Sequence, residues 1–273
     1  MTGLVRPARR PPGWIAPGPP PVVPSDRPDV WPADDEELCY LSGDWRILQL
    51  ARGHRWSLDD LVTAWFAAEV CTPRRFADLG CGIGTVLLLT AWRFPQARGV
   101  GVEAQDVSIG LARRSVAWNG VGDRVSVLHG DLRETSLDGP FDLVTGTPPY
   151  LPQGTAVESS RTQWGPCHFE HRGGVEDYCA AAARVLAPDG WFVTCAGALQ
   201  EERVQAGAAA AGLGIVRRRD VVPRAGKAAL FAVYAMRRGA ATTSVEPPLV
   251  VRDAAGHWTG GFRALRAAMG LPA

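Results

Sequence analysis

Phe76-Ala77-Asp78-Leu79-Gly80-Cys81-Gly82-Ile83-Gly84-Thr85 joins a short apolar strand to an apolar helix through three alternating glycines. Glycine lets the backbone turn tightly and approach a ligand closely, so this loop is predicted to bind a nucleotide-like ligand. The spacing is G-x-G-x-G, with Asp78 two residues before the first glycine, unlike the G-x-G-x-x-G of nicotinamide enzymes. A nicotinamide-dependent oxidoreductase is therefore disfavoured, and an ordinary glycine-rich turn is the structural alternative.

Short apolar strands alternate with helical patterns around this loop. The predicted strands are 75–79, 99–103, 125–129, 141–145, 191–195, 215–221 and 230–236. A first helix is predicted to begin at residue 57, and further helices are predicted over 84–93, 107–118, 175–186 and 199–211. A turn is predicted at 188–190. This order predicts an α/β fold, a Rossmann-like doubly wound sheet of seven mostly parallel strands. The last two strands have no helix pattern between them and predict an antiparallel C-terminal edge hairpin.

The 273 residues suffice for one large domain and a tail. Residues 1–36 are rich in proline, which fixes φ and lacks a backbone donor, so we expect a disordered or extended tail before a domain at 37–273. No apolar run is long enough to span a membrane and no secretory signal is evident, so a cytoplasmic location is expected. The net charge of +1 gives no global electrostatic case for nucleic acid, and the six cysteines form no metal-binding pattern.

Acidic residues stand at the ends of three successive predicted strands: Asp78, Glu103 and Asp131. The carboxyl ends of parallel strands meet at one edge of a sheet, so these side chains are expected to line one ligand site. Glu103 can accept hydrogen bonds from two neighbouring hydroxyls, as in a ribose. Asp131 can accept from an adenine amino group while the Leu132 amide donates to the ring. Singly, Glu103 and Asp131 can equally be solvated loop acids or helix caps.

The fourth of these strands runs into Thr147-Pro148-Pro149-Tyr150, where two prolines fix a rigid bend. The loop resembles the Asn-Pro-Pro-Tyr of amino-methyltransferases. In that family the Asn side chain and the first proline carbonyl accept the two hydrogens of a substrate NH2, and the aromatic ring stacks on the substrate. The resemblance implies that Thr147, Pro148, Pro149 and Tyr150 are catalytic. Thr147 is a departure: its hydroxyl can accept one hydrogen bond but lacks the amide plane. A cofactor-side wall without amine chemistry is the alternative.

Together these motifs resemble class I S-adenosylmethionine-dependent methyltransferases, including the small-domain family. The resemblance implies S-adenosylmethionine as cofactor, with Asp78 holding its amino-acid portion. The implied cofactor-binding residues are Asp78, Gly80, Cys81, Gly82, Gly84, Glu103, Asp131 and Leu132.

A narrower resemblance is to the bacterial tRNA N6-adenine methyltransferases that act beside the anticodon of a valine tRNA. Trp56-Ser57-Leu58-Asp59-Asp60 is similar to their Phe-Ser-Leu-Asp-Ser segment, which lies over the cofactor and implies a cofactor contact for Trp56. Residues 169–174 stand where those enzymes have an Arg-His-Glu-like loop, and residues 247–259 resemble their C-terminal elements.

The function expected from these motifs is methyl transfer to a nitrogen, first to adenine N6 in tRNA. A protein glutamine, as in release-factor methyltransferases, is the second acceptor expected, and a small-molecule amine is the third. The alternative of another class is a non-catalytic cofactor- or RNA-binding module, which Thr147 motivates.

Overall fold

The computed structural model describes residues 3–150 and 173–273 of the chain. Its strands are β1 (Leu4–Val5), β2 (Glu36–Tyr40), β3 (Arg46–Leu50), β4 (Arg75–Leu79), β5 (Arg98–Glu103), β6 (Val125–His129), β7 (Phe141–Gly146), β8 (Leu186–Gly197), β9 (Leu213–Val222), β10 (Phe231–Arg238) and β11 (Ser244–Val250). Its helices are α1 (Leu58–Val70), α2 (Thr85–Arg93), α3 (Asp106–Trp118), α4 (Val175–Val185), α5 (Glu201–Ala210) and α6 (Gly260–Ala268), and a 3-10 helix covers Pro28–Val30. Within the described residues no helix has the length and apolar character needed to cross a bilayer.

The main sheet has eight strands in the order β11-β9-β10-β8-β7-β4-β5-β6. Strand β4 pairs in parallel with both β5 and β7, and parallel pairing continues to β6 on one side and to β8 on the other. The chain first leaves β4 towards β5 and later returns to β7 on the opposite side of β4. Ligands of open α/β sheets bind in the crevice at the carboxyl ends of the strands where the order reverses in this way.

Helices cover both faces of this sheet, as predicted. Phe76 of β4 belongs to a core cluster with Phe66 of α1 and Leu87 of α2, whereas its neighbour Ala77 belongs to a second cluster with Tyr178 of α4. Successive side chains of a strand point to opposite faces, which divides the core into these two layers. Burial on both faces explains why the parallel strands are nearly continuous apolar runs in the sequence.

The predicted α/β fold with its mostly parallel sheet is confirmed, and three details are corrected. The sheet has eight strands rather than seven, because β11 pairs in parallel with β9 and forms the edge. The antiparallel hairpin of β9 and β10 is present, but β10 lies between β9 and β8, so the hairpin is not at the edge. Strand β8 already begins at Leu186, and the turn predicted at 188–190 is a bulge where the register against β7 shifts between Phe141 and Leu143.

Residues 3–36 lie as an extended segment along the domain. Strand β1 pairs with β2, and β2 pairs with β3, which forms a separate three-stranded sheet that the sequence patterns did not predict. The Trp45 indole donates to the Pro19 carbonyl at 3.1 Å, and the Arg114 guanidinium donates to the Asp29 carbonyl at 2.6 Å. The disordered or extended state expected for residues 1–36 stays a prediction. The domain boundary at residue 36 stays a prediction.

Candidate functional site

A cavity of about 420 Å³ opens at the carboxyl ends of β4, β5, β6 and β7, where the strand order reverses. The loops after these four strands form most of its wall, and the start of α1 closes one side. The residues from those loops that line it are Gly80, Cys81, Gly82, Ile83, Glu103, Ala104, Gln105, Gly130, Asp131, Leu132, Thr147, Pro148, Pro149 and Tyr150. The structure therefore brings most of the sequence-predicted site residues into one place.

The glycine loop has the backbone that its sequence predicts. Gly80, Gly82 and Gly84 all have positive φ, at 59°, 55° and 90°. A Cβ added to Gly80 would lie 2.1 Å from the hydroxyl of Tyr178, whereas one added to Gly82 would meet nothing within 4 Å. Gly84 is the N-cap of α2 and packs against Ala112 rather than lining the cavity. Close packing therefore requires glycine at position 80, while position 82 lies open to a ligand.

Glu103 holds the second strand end against the glycine loop. Its side chain is buried, with Oε2 accepting from the Gly82 amide at 2.9 Å and Oε1 accepting from the Gln105 amide at 2.7 Å. These bonds fix the carboxylate at the cavity wall. A carboxylate has about four lone-pair sites, so both oxygens can accept further bonds from ligand hydroxyls.

Asp78 lies behind the glycine loop and not in the cavity wall. It is 2% exposed, its Oδ1 accepts from the Thr145 hydroxyl at 2.8 Å, and its Oδ2 makes no hydrogen bond. Burial raises the pKa of Asp78 to about 7, while the Thr145 hydroxyl and the Leu87 amide act in the opposite direction and nearby Glu103 raises it further. Strands β4 and β7 place Asp78 and Thr145 opposite each other in register. Oδ2 of Asp78 therefore remains able to accept a hydrogen bond behind the glycine loop.

Asp131 and Leu132 line the cavity at the end of β6, as predicted. The Asp131 carboxylate pairs with Arg133, at 3.0 Å to Nε and 2.7 Å to Nη2. The Leu132 carbonyl accepts from Arg184 at 2.7 Å, which fixes the backbone of this loop. A ligand amino group at Asp131 would share the carboxylate with Arg133.

Tyr150 lies in the chain after β7, and hydrogen bonds hold it at both its hydroxyl and its carbonyl. Its hydroxyl donates to Oδ2 of Asp59 at 3.0 Å and also lies 3.1 Å from Sγ of Cys195. Its carbonyl accepts from the Gln200 side chain at 2.8 Å. Burial raises the pKa of Tyr150 well above its usual range, with Cys195 and Asp59 adding to the effect. The ring is therefore a neutral, fixed part of the cavity wall.

Asp60 is buried beside the same loop, in the first turn of α1. Ser57 is the N-cap of α1, and its amide donates to Oδ2 of Asp60 at 3.0 Å. The Thr147 hydroxyl lies close enough to the Asp60 carboxyl to lower its pKa, and both residues line the cavity. Burial raises the pKa of Asp60 well above its ordinary value, and the charge of Asp59 adds to this. No sequence pattern links Asp60 to the Thr147 loop, because the two are brought together only by the packing of α1 beside the sheet.

One predicted residue is placed differently, one predicted loop lies largely outside the described residues, and one residue of the cavity wall was not predicted. Trp56 lines a second cavity rather than this one, although its neighbours His54 and Ser57 line the first. Residues 151–172, which include most of the predicted Arg-His-Glu-like loop, are not among those that the structure describes. Tyr178 of α4 lines the cavity and was missed, because the sequence pattern placed it only within the helix predicted at 175–186.

Comparison with known proteins agrees with this geometry. A family model described as methyltransferase small domain matches residues 59–163. A tRNA1(Val) (adenine(37)-N6)-methyltransferase from Aeromonas hydrophila is 30% identical over 182 residues, which cover 66% of this chain and 74% of that protein. The chain belongs to the methyltransferase small domain family.

Two further relatives of this chain differ in the acceptors that their names give. A tRNA1(Val) (adenine(37)-N6)-methyltransferase from Porphyromonas gingivalis is 30% identical over 138 residues, covering 48% of this chain and 53% of that protein. A release factor glutamine methyltransferase from Caulobacter vibrioides is 35% identical over 149 residues, covering 51% of each chain. The chain thus spans about half the length of these relatives.

Among solved structures, a predicted O-methyltransferase from Agrobacterium tumefaciens superposes with a TM-score of 0.62 at 20% identity. The superposition covers 78% of this chain and 98% of that one, and it shows the shared fold.

S-adenosylmethionine, the cofactor of this methyltransferase class, fits the residues at the cavity. Glu103 can accept from ribose hydroxyls, and Asp131 with the Leu132 amide can hold an adenine edge. The open space above Gly82 admits the close approach of a ligand to the backbone. The volume of about 420 Å³ lies within the usual range for a small-molecule site.

Proposed function

We propose that this protein is an N-methyltransferase whose acceptor is a planar NH2 group, and that adenine N6 in tRNA is its principal acceptor. One observation carries the proposal: the Thr147–Tyr150 loop lines the same cavity as Glu103 and Asp131. A planar amine held at this loop would therefore lie beside the bound cofactor. When bound, S-adenosylmethionine supplies an electrophilic methyl group on a positively charged sulfur.

The position of Asp60 beside Thr147 in the cavity wall gives a physical reason why threonine can replace asparagine in this loop. An Asn side-chain oxygen only accepts hydrogen bonds, whereas a hydroxyl both donates and accepts. In this proposal an ionised Asp60 accepts the hydroxyl hydrogen of the nearby Thr147, which leaves the Thr147 lone pairs to accept from a substrate. Thr147 and the Pro148 carbonyl then accept the two amine hydrogens and direct the nitrogen lone pair towards the methyl group. Asp60 is thus a positioning residue in this proposal.

Tyr150 supports the acceptor from the other side. Its hydroxyl is bound to Asp59, so the ring is held at the cavity wall. A fixed ring can stack on a flat base or amide, which restricts the substrate to one plane. Such positioning can contribute several kcal/mol to a reaction that joins two molecules, without a general base.

The proposal is tested by methyl incorporation with the full chain and radiolabelled S-adenosylmethionine. The acceptors are unmodified tRNA transcripts, a purified release factor and a panel of small amines. We expect incorporation into tRNA, found as N6-methyladenosine after digestion and mass spectrometry. Thr147→Val, which removes only the hydroxyl, is expected to lower incorporation at least tenfold, while Thr147→Ser retains most of it. Incorporation insensitive to Thr147→Val and to Tyr150→Ala would contradict the proposed acceptor site.

Protein glutamine is the second candidate acceptor, because a release factor glutamine methyltransferase is among the relatives at 35% identity. A glutamine side chain also presents a planar NH2, so it fits the same pair of acceptors. Methylated glutamine in release factor digests, with none in tRNA, would support this candidate. A small-molecule amine is the third candidate. Cofactor binding by calorimetry without transfer to any acceptor would support a non-catalytic module instead.

A further inference from the structure

A second cavity, of about 590 Å³, lies next to the first and is rich in arginine. We call it the arginine groove and define it by Arg6, Arg9, Arg10, Arg55 and Arg266. The proline-rich segment, the β2–α1 region and the C-terminal end of the chain each contribute residues to it. Among the described residues, none that lines the groove is acidic.

The arginines are held in place without being neutralised. Glu37 bonds to both Arg6 and Arg55 from beneath the groove, and its side chain is only 7% exposed. Arg6 and Arg55 remain 46% and 44% exposed, so guanidinium donors still face solvent. Asp44 pairs with Arg10. Five guanidinium groups against these two carboxylates concentrate positive charge on a chain whose net charge is only +1.

Aromatic rings stand among these cations. The Arg10 guanidinium lies 4.9 Å from the ring centroid of Trp14 and 4.7 Å from that of Tyr40. Both rings and Trp56 line the groove. Basic grooves with interleaved aromatic rings are typical of single-stranded nucleic acid binding, because cations track phosphates while rings stack on bases. Guanidinium also matches phosphate through paired hydrogen bonds.

The groove and the methyl-transfer cavity share one short segment of chain. His54 and Ser57 line the cavity, while Arg55 and Trp56 between them line the groove. A strand of nucleic acid in the groove would therefore pass directly beside the mouth of the cavity. Its phosphates would lie on the arginines while one nucleotide entered the cavity.

We propose that the arginine groove binds the phosphate backbone of the RNA substrate, next to the nucleotide that is methylated. This assignment rests on the proposed function, since the groove would bind the same RNA whose nucleotide enters the cavity. It also gives Trp56 a role in substrate binding instead of the cofactor contact predicted from the sequence. The extended N-terminal segment becomes part of the binding surface, because it supplies Arg6, Arg9 and Arg10.

The experiment measures fluorescence anisotropy of labelled, unmodified tRNA with the full chain at several salt concentrations. The test variant is Arg9→Ala/Arg10→Ala, which leaves the buried Glu37 with both of its partners. Its matched control is Arg75→Ala/Arg98→Ala, which removes the same charge at the amino ends of β4 and β5. Binding of S-adenosylhomocysteine by calorimetry checks folding of each variant.

We expect the test variant to weaken tRNA binding about tenfold or more and to lower the slope of log affinity against log salt by about 1 for each phosphate that is no longer bound. The control is expected to change affinity less than threefold, and both variants are expected to bind S-adenosylhomocysteine as the wild type does. Equal weakening by both variants, or none by the test variant, would overturn the proposal. A polyglutamate probe that binds as tightly as tRNA through Arg9 and Arg10 would also overturn it, in favour of an acidic protein partner. Groove-dependent tRNA binding without methyl incorporation by the wild type would refute the proposed function and leave the groove assignment standing.

Discussion

Replacing Asp78 by asparagine separates the stability cost of a buried carboxyl from its use in cofactor binding. Burial raises the pKa of this carboxyl from 3.8 to about 7. Between these values the unfolded chain binds fewer protons than the folded chain. The free energy of unfolding therefore falls as pH rises through this window and levels off above about pH 7.

The magnitude follows from that window. Going from pH 5 to pH 8 crosses nearly two pH units of the range between the two pKa values, and each pH unit corresponds to about 1.36 kcal/mol. Over this change in pH, the ionisation of Asp78 therefore lowers the free energy of unfolding by about 2.5 kcal/mol. Asp78→Asn does not titrate, so its stability relative to wild type is predicted to rise by that amount from pH 5 to pH 8. The new amide donor, next to a position where Oδ2 has no partner, costs about 1–3 kcal/mol. That cost is the same at both pH values and cancels in the comparison.

Urea denaturation of the ligand-free protein at pH 5 and pH 8 measures this difference. The exposed Asp123→Asn is the matched control and is expected to leave the difference unchanged. Affinity for S-adenosylhomocysteine should rise with pH through about 7 in the wild type, because an ionised Asp78 attracts the ligand ammonium, and should be flat in Asp78→Asn. A relative stability of Asp78→Asn that does not change with pH would refute the reasoning.

Three further predictions concern the cavity wall. The rate of methyl transfer is expected to rise with pH through the raised pKa of Asp60, because only the ionised carboxyl accepts the hydroxyl hydrogen of Thr147. In a pH–rate profile, Asp60→Asn is expected to lose this rise with pH while still binding the cofactor. In chemical denaturation, Gly80→Ala is expected to lower the free energy of unfolding by about 2–3 kcal/mol more than Gly82→Ala. Both glycines have positive φ, but only a Cβ at position 80 meets a side chain, that of Tyr178. Equal losses of stability in the two variants would contradict this prediction. Glu103→Gln is expected to weaken S-adenosylhomocysteine binding at least tenfold in calorimetry, since an amide oxygen and a donor replace two charged acceptors; unchanged affinity would remove Glu103 from the cofactor site.

Local patterns were enough to predict the parallel half of the sheet. β4 and β6 have the predicted bounds. Short apolar runs, the helical patterns between them and the glycine loop each depend on only a few neighbouring residues, so they can be recognised in the sequence. The eighth strand was missed because Pro247 and Pro248 lie within β11 and argue against a strand. The structure accommodates them with a register shift in the pairing between β11 and β9, at the edge of the sheet where proline is tolerated.

The Asp78–Gly84 loop, Glu103 and Asp131 could be located from the sequence by itself, because each follows a strand and the carboxyl ends of parallel strands share one edge. The approach of Asp59 and Asp60 to the Thr147–Tyr150 loop could not be predicted from the sequence. Asp59 and Tyr150 are 91 residues apart in sequence, and their contact depends on how α1 packs beside the sheet. The arginine groove likewise joins chain ends from Arg6 to Arg266. The spacing of apolar residues along a helix or strand indicates which of its faces is buried. Only the packing of the elements in the tertiary structure determines which side chains distant in sequence come into contact.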